Sequence, residues 1–339
     1  MTLIGEGETF SLPAFADVLD ALAREGDDLF YRGDIAARIA TDCRTGGGTP
    51  SADDLAAYQV IKRSPLARQY RDSTLHTNPP PSTGGILIAF ALDLLSDVDL
   101  GRNPLAAVDS LVSLARAMGA TNKARIDRLM DGEATIDFLD PDFVDLYRRE
   151  ITRRPAALRG TTHISAIDGA GNAAGLSLSN GEGSSYLVLG TGIMLNNMLG
   201  EEGLNPGGFH RWAEDTRICS MMAPTLVEEP GGAHTIMGSG GSNRIRTAIL
   251  QVPVNLLDHS MSVEEAVNRP RIHVEGGTLS AGEGFDAGDL KAAASPDAVE
   301  TWDGVNLFFG GVHAVRHDPA RDQFSGAGDP RRGGVSRIV

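Results

Sequence analysis

From Leu12 to Arg24 the apolar residues Phe15, Val18, Leu19 and Leu22 recur at the spacing of one helical face, and the pattern stops at Gly26. A second helix is predicted over about Asp34–Cys43, ended by Gly46-Gly47-Gly48. Ser51-Ala52-Asp53-Asp54 opens a short third one as a capping-type start. Gln59 to His76 reads as extended, and Asn78-Pro79-Pro80-Pro81 forbids regular structure. Helical stretches follow over Ile86–Leu95, Pro104–Met130 and Pro141–Arg153.

Near residues 154–161 the period changes from that of a helix to that of a strand. Thr162 to Asp168 alternates polar and apolar, Gly169-Ala170-Gly171-Asn172 supplies a turn, and Ala174 to Ser179 alternates again, which predicts a hairpin. Further strands are expected at Leu187–Leu195, Pro224–Val227 and His234–Met237. An amphipathic helix is expected over Arg244–Leu257, and from Ile272 on short strands with one helix near Asp289–Ala294. The chain therefore divides into a helix-rich region, 1–160, and a β-rich region, 161–339, expected to build one joint fold. No window of eighteen apolar residues predicts a membrane span.

Composition changes this picture little. The 339 residues are 41% hydrophobic and 22% charged, as in an ordinary globular protein. A formal net charge of -15 argues against a nucleic-acid partner, because phosphate binding needs a basic surface. The basic runs Tyr147-Arg148-Arg149 and Thr152-Arg153-Arg154 flank the boundary and read as solvated surface. Cys43 and Cys219 form neither a disulfide framework nor a metal-type spacing, and Cys219 reads as a small buried thiol. Met1 to Glu6 lacks the basic and apolar parts of a secretory signal, which predicts a cytoplasmic protein if Met1 is the true start.

Three features bear on chemistry. Thr161, in Gly160-Thr161-Thr162-His163, stands where the predicted strand begins. A threonine hydroxyl needs a base beside it, and a threonine made N-terminal can use its own α-amine. Gly160 would supply an unhindered carbonyl for that cleavage. By itself the Thr-Thr pair reads more simply as an ordinary strand start, because threonine favours strands. Gly238-Ser239-Gly240-Gly241-Ser242-Asn243-Arg244 leaves backbone N–H groups free ahead of a helix, as an oxyanion hole or simply a helix-entry turn, and it lacks the ending of a nucleotide loop. Of eight histidines only His313 and His317 are close in sequence; they lack the glutamate of a zinc helix, so neither metal nor cofactor is expected.

The order of these motifs resembles the γ-glutamyltransferase (γ-glutamyltranspeptidase) family of N-terminal-nucleophile hydrolases. The resemblance runs through Asp28–Ala36, Asp53–Tyr58, Pro79–Gly85, Thr161–Ser165, Asn196-Asn197, Ala223-Pro224-Thr225, Gly238–Arg244, Arg269–His273 and Gly328–Arg331. It implies an α+β fold, the four-layer αββα sandwich. It implies self-cleavage between Gly160 and Thr161, two halves that stay associated, and Thr161 as nucleophile supported by Ser179. Gly241 and Ser242 would form the oxyanion hole. Asn180, Glu201 and Ser220 would hold the donor, a small-molecule amide of γ-glutamyl type, with water or an amine as acceptor. Members of this family are often periplasmic or extracellular.

The departures lie in the donor pocket. Met221 replaces the family's second serine, Glu201 stands where an aspartate is expected, and no counterpart of the family's N-terminal portion, with its clamping arginine, is found. Two further readings follow: an acylase of the same fold that releases glutaryl or cephalosporin-type side chains, or a truncated inactive homologue.

Overall fold

The computed structural model describes residues 5, 7–100, 108–129, 139–140, 143–144, 160–201, 204–205, 208–294 and 298–339. Most of the helix expected over Pro141–Arg153, the basic runs beside it and the boundary before Gly160 lie outside these residues. The chain forms two compact units, Met1–Arg63 with Glu182–Met198, and Ser64–Gly181 with Leu199–Val339.

The smaller unit is built by the first three predicted helices. Helix α1 (Pro13–Glu25) starts on a proline whose fixed φ suits a first helical turn. After a single turn, α2 (Asp28–Tyr31), helix α3 (Asp34–Gly46) ends at Gly47 in the left-handed region. Helix α4 (Ala52–Ala57) opens with a reciprocal cap: Ser51 Oγ accepts from the Asp54 N–H, and the Asp54 carboxylate accepts from the Ser51 N–H. Ile35, Ile39 and Val188 form the core, with Val18, Leu29, Phe30 and Leu55 against it. The strand expected over Leu187–Leu195 is instead a tight reversal. Gly190 (φ 73°) and Gly192 (φ 68°) take left-handed conformations, and the Val188 N–H donates to Ile193 O at 2.8 Å. Alternation alone did not register that two glycines would turn the chain before a ladder could form.

The larger unit carries a six-stranded antiparallel sheet. It is formed by β1 (Leu66–Tyr70), β2 (Ser73–Thr77), β5 (Thr225–Glu228), β6 (His234–Gly240), β10 (Gly311–Asp318) and β11 (Gln323–Ala327), adjacent in that order. Helix α5 (Thr83–Leu95) is buried all round, as its nearly unbroken apolar run requires. With α7 (Arg244–Leu257) it covers one face of the sheet, and α6 (Val108–Leu129) packs on α5. The other face takes the predicted hairpin, β3 (Gly160–Ile167) and β4 (Ala173–Gly181). Helix, sheet and second sheet thus stack as expected of the α+β class. A smaller sheet, β7 (Ile272–Glu275), β8 (Thr278–Ala281) and β9 (Val299–Thr301), lies with α6 and α9 (Ala287–Ala293).

Residues from both sides of the Gly160–Thr161 bond share one core. Leu75, Phe90 and Met118 belong to the same buried cluster as Val227, Ile249 and Val312.

Candidate active site

The two stacked sheets meet across a layer of small and polar side chains. Thr161, His163, Ser165 and Ile167 turn inward from β3, and Ser179 and Ser177 do so from the facing positions of β4. Opposite them the large sheet presents successive cross-strand pairs: Gly240 with Gly311, Gly238 with His313, Ile236 with Val315. The glycines are steric requirements. A Cβ on Gly240 would sit 1.9 Å from the Thr161 carbonyl oxygen, and one on Gly238 would sit 2.3 Å from His163 Nδ1. The alternation Gly238-x-Gly240 is therefore what lets the hairpin lie down on β6.

Thr161 Oγ1 donates to Ser179 Oγ at 3.2 Å, and Ser179 Oγ also accepts from the Gly181 N–H at 3.1 Å. The ladder pairs Gly160 with Gly181 but Thr161 with Ser179, so Asn180 is one residue too many. This bulge falls opposite the Gly160–Thr161 peptide bond. Bulges bend a strand and re-aim its side chains, and here the displaced residue is the exposed Asn180.

Directly after Gly240, Gly241 (φ 130°) and Ser242 (φ 53°) lead into α7. Their carbonyls accept from the Arg244 and Ile245 N–H groups, each at 3.0 Å. Among the described residues their own N–H groups donate to no protein acceptor, which leaves two donors ahead of a helix start. Gly241 admits no side chain, because a Cβ would come within 2.9 Å of Gly310 Cα. Ser242 holds a left-handed conformation that costs about 1–2 kcal/mol in a residue with a Cβ.

Beneath this loop the charges are buried and paired. The Asn243 Nδ2 group donates to Glu275 Oε1 at 2.8 Å, tying the loop to β7. Burial opposes the Glu275 charge, yet the hydrogen bond and charge of His273, with Arg246 and Arg125, outweigh it and hold the carboxyl near about 2. Burial lowers Arg246 to about 10. Asp329 accepts from the Val312 N–H at 2.9 Å and pairs with Arg271 at 2.6 Å. Burial raises its pKa, but Arg271 and then Arg331 bring it below the usual carboxylate value.

His163 is the residue sequence reasoning missed. Its two ring nitrogens sit 2.8 Å from Ser177 Oγ and 2.8 Å from Ser165 Oγ, one rung from the Thr161–Ser179 pair. Burial first, and then His313, lower its pKa to about 4, so at neutral pH it is an uncharged spacer that fixes both strands. Its position two residues beyond Thr161, on the same strand face, was the available signal.

The remaining candidates lie on other segments of the unit. The Ser220 carbonyl accepts from the Thr83 and Gly84 N–H groups at 3.0 and 3.3 Å, which docks the 219–221 segment on the start of α5. Met221 is buried in the core with Sδ 3.4 Å from Thr83 Oγ1, so it packs against the start of α5. Glu201 is buried in a turn where its carbonyl accepts from Asn205 Nδ2 at 2.7 Å. The structure brings together Gly160, Thr161, Ser179, Asn180 and the Gly240–Ser242 loop. The bonds described for Ser220 and Glu201 go to α5 and to their own turn.

Stacked sheets under helices, with a threonine at a strand start beside a glycine loop, define an N-terminal-nucleophile hydrolase fold. A crystal structure of cephalosporin acylase from Bacillus halodurans shares it, with a TM-score of 0.82 at 22% identity over 97% of this chain and 63% of that one. The family model for gamma-glutamyltranspeptidase matches residues 2–339, and the chain belongs to that family. It is 30% identical over 307 residues to a glutathione hydrolase proenzyme of Escherichia coli, covering 79% of this chain and 51% of that protein. It is 31% identical over 287 residues to an acylase ACY 1 proenzyme of a Pseudomonas species, covering 78% and 50%. The chain thus spans about half the length of these curated relatives.

Proposed function

We propose that this chain is a self-processing γ-glutamyltransferase-like enzyme with Thr161 as nucleophile. The observation that carries the reading is Thr161 Oγ1 bonded to Ser179 Oγ, at a bulge facing the Gly160–Thr161 bond. In the first step Oγ1 attacks the Gly160 carbonyl carbon and the peptide C–N bond breaks. The Thr161 nitrogen leaves as an amine, and water hydrolyses the resulting ester. The freed α-amine, with an intrinsic pKa near about 8, then serves as base for the same hydroxyl. A donor amide acylates Oγ1, its leaving amine takes the proton, and water or an acceptor amine resolves the acyl–Thr161 ester. The N–H groups of Gly241 and Ser242 receive the developing oxyanion.

The shared core supports two halves that stay together after cleavage. Family membership and the glutathione hydrolase relatives support a γ-glutamyl donor of the glutathione type. In this reading Asn180, Glu201 and Ser220 hold the donor's α-amine and α-carboxylate. A second reading, an acylase releasing glutaryl side chains, is favoured by the acylase relative. Turnover of γ-glutamyl and glutaryl anilides separates them. The γ-glutamyl reading expects the first substrate to be faster, and glutaryl turnover in excess would replace it with the acylase.

A further inference from the structure

His313 and His317, neighbours in sequence, stand four residues apart on β10, roughly 13 Å between Cα atoms, and share nothing. The partner of His317 is His234, directly opposite it in the β6–β10 ladder. The two rings meet edge to face with centroids 5.4 Å apart, and Phe324 stacks on His317 at 4.4 Å and fixes its plane.

Both rings turn a nitrogen into the protein. His234 Nδ1 lies 3.2 Å from Gly232 O, a bond only an N–H can make, so in the neutral ring Nε2 carries a lone pair. His234 Nε2 and His317 Nδ1 are both buried without a hydrogen-bond partner. The hairpin turn closes over them. A Cβ on Gly171, in the left-handed region at φ 83°, would lie 3.3 Å from His317 Nδ1 and 3.7 Å from His234 Cε1. Two imidazole nitrogens without a hydrogen-bond partner therefore lie beneath one turn, and one ring is oriented through its other nitrogen by a backbone carbonyl. That outer bond is the usual support of a metal-binding histidine.

We propose that His234 Nε2 and His317 Nδ1 form a two-imidazole site for a late first-row divalent cation of the zinc type. Imidazole nitrogen selects such ions over magnesium and calcium, which prefer oxygen. Among the described residues no group of three or more His, Cys, Asp or Glu is placed to hold a metal, so water completes the coordination and binding is weaker than in a closed four-ligand site. The cation ties the far ends of β6 and β10 together beneath the β3–β4 turn. Six residues separate His234 from Gly240, so the site lies roughly 20 Å along the strand from the Thr161 end.

The test is calorimetric titration of the purified chain with zinc chloride and, separately, magnesium chloride, with thermal unfolding followed in parallel. One zinc ion per chain should bind and raise the unfolding midpoint, with no response to magnesium. His234→Gln and His317→Gln should each weaken zinc binding by about tenfold or more. His210→Gln, at an exposed position, should leave it unchanged. If either variant fails to fold, zinc-induced shifts of the imidazole resonances in the unaltered protein decide, and they should single out these two rings. Absence of zinc binding, binding indifferent to both substitutions, or shifts at other histidines would overturn the proposal.

Discussion

A single hydroxyl-to-hydroxyl bond organises the site. Ser179 Oγ accepts from both Thr161 Oγ1 and the Gly181 N–H, so it orients the Thr161 hydroxyl without competing for its lone pairs. Replacing Ser179 with alanine removes the acceptor of the Thr161 hydroxyl proton, and the proposed self-cleavage should slow about tenfold to a hundredfold in a time course on a denaturing gel. An unchanged rate would mean the bond is incidental. His163 makes a different kind of claim. Its folded pKa of about 4 lies below the unfolded value of about 6.5, so the unfolded chain binds the proton first. Its contribution to stability is therefore complete above pH 6.5 and is lost as pH falls toward 4. His273 and His313 are also lowered, each mainly by burial, and act in the same direction. The unfolding midpoint should drop over that window, and His163→Gln should flatten the drop.

Strands and helices show how much of this was legible beforehand. Helices α1, α3, α5 and α7 and the β3–β4 hairpin fall where apolar period and turn chemistry place them, but α7, expected to be amphipathic, is buried along nearly its whole length, as α5 is. The stretch Gln59–His76 read as simply extended, but it holds a loop and the β1–β2 hairpin, turned at Arg71 with φ 54°. The six-residue helix α8 (Val263–Asn268) went unseen for want of length, although its Ser262–Glu265 cap was in plain sequence. The candidate site was legible in Thr161 and the glycine loop, which the fold sets side by side. It was not legible in His163 or in the His234–His317 pair, since both depend on which strands become neighbours. Gly240 shows the same limit: its spacing suggested a free backbone, whereas its role is to admit the Thr161 carbonyl. Gly240→Ala should displace the hairpin from β6 and block self-cleavage while the helices persist by circular dichroism. Normal processing in that variant would contradict the close approach.

At the scale of the molecule, the interior is held by ion pairs that carry little redundancy. Arg271 and Asp329 are both almost fully buried, and through Asp329 the segment after β11 is fastened to β10. Arg271→Met leaves the carboxylate paired only with Arg331, and should cost about 3–5 kcal/mol in denaturant unfolding. A loss below about 1 kcal/mol would show that the pair is dispensable. The hairpin is less complete on its outer side, where Ile164, Leu176 and Leu178 are each more than half exposed and no helix covers them among the described residues. Its inner side, by contrast, is fully engaged with β6 and β10. The proposed chemistry therefore depends on the inner layer and on the Thr161–Ser179 bond within it. Purified protein run on a denaturing gel, with N-terminal sequencing of each band, tests this directly. Two fragments should appear, the larger (residues 161–339) beginning at Thr161, and Thr161→Ala should remain one chain. A chain that stays whole through prolonged incubation, or a cut at another bond, would contradict the assignment of Thr161 as the self-generated nucleophile.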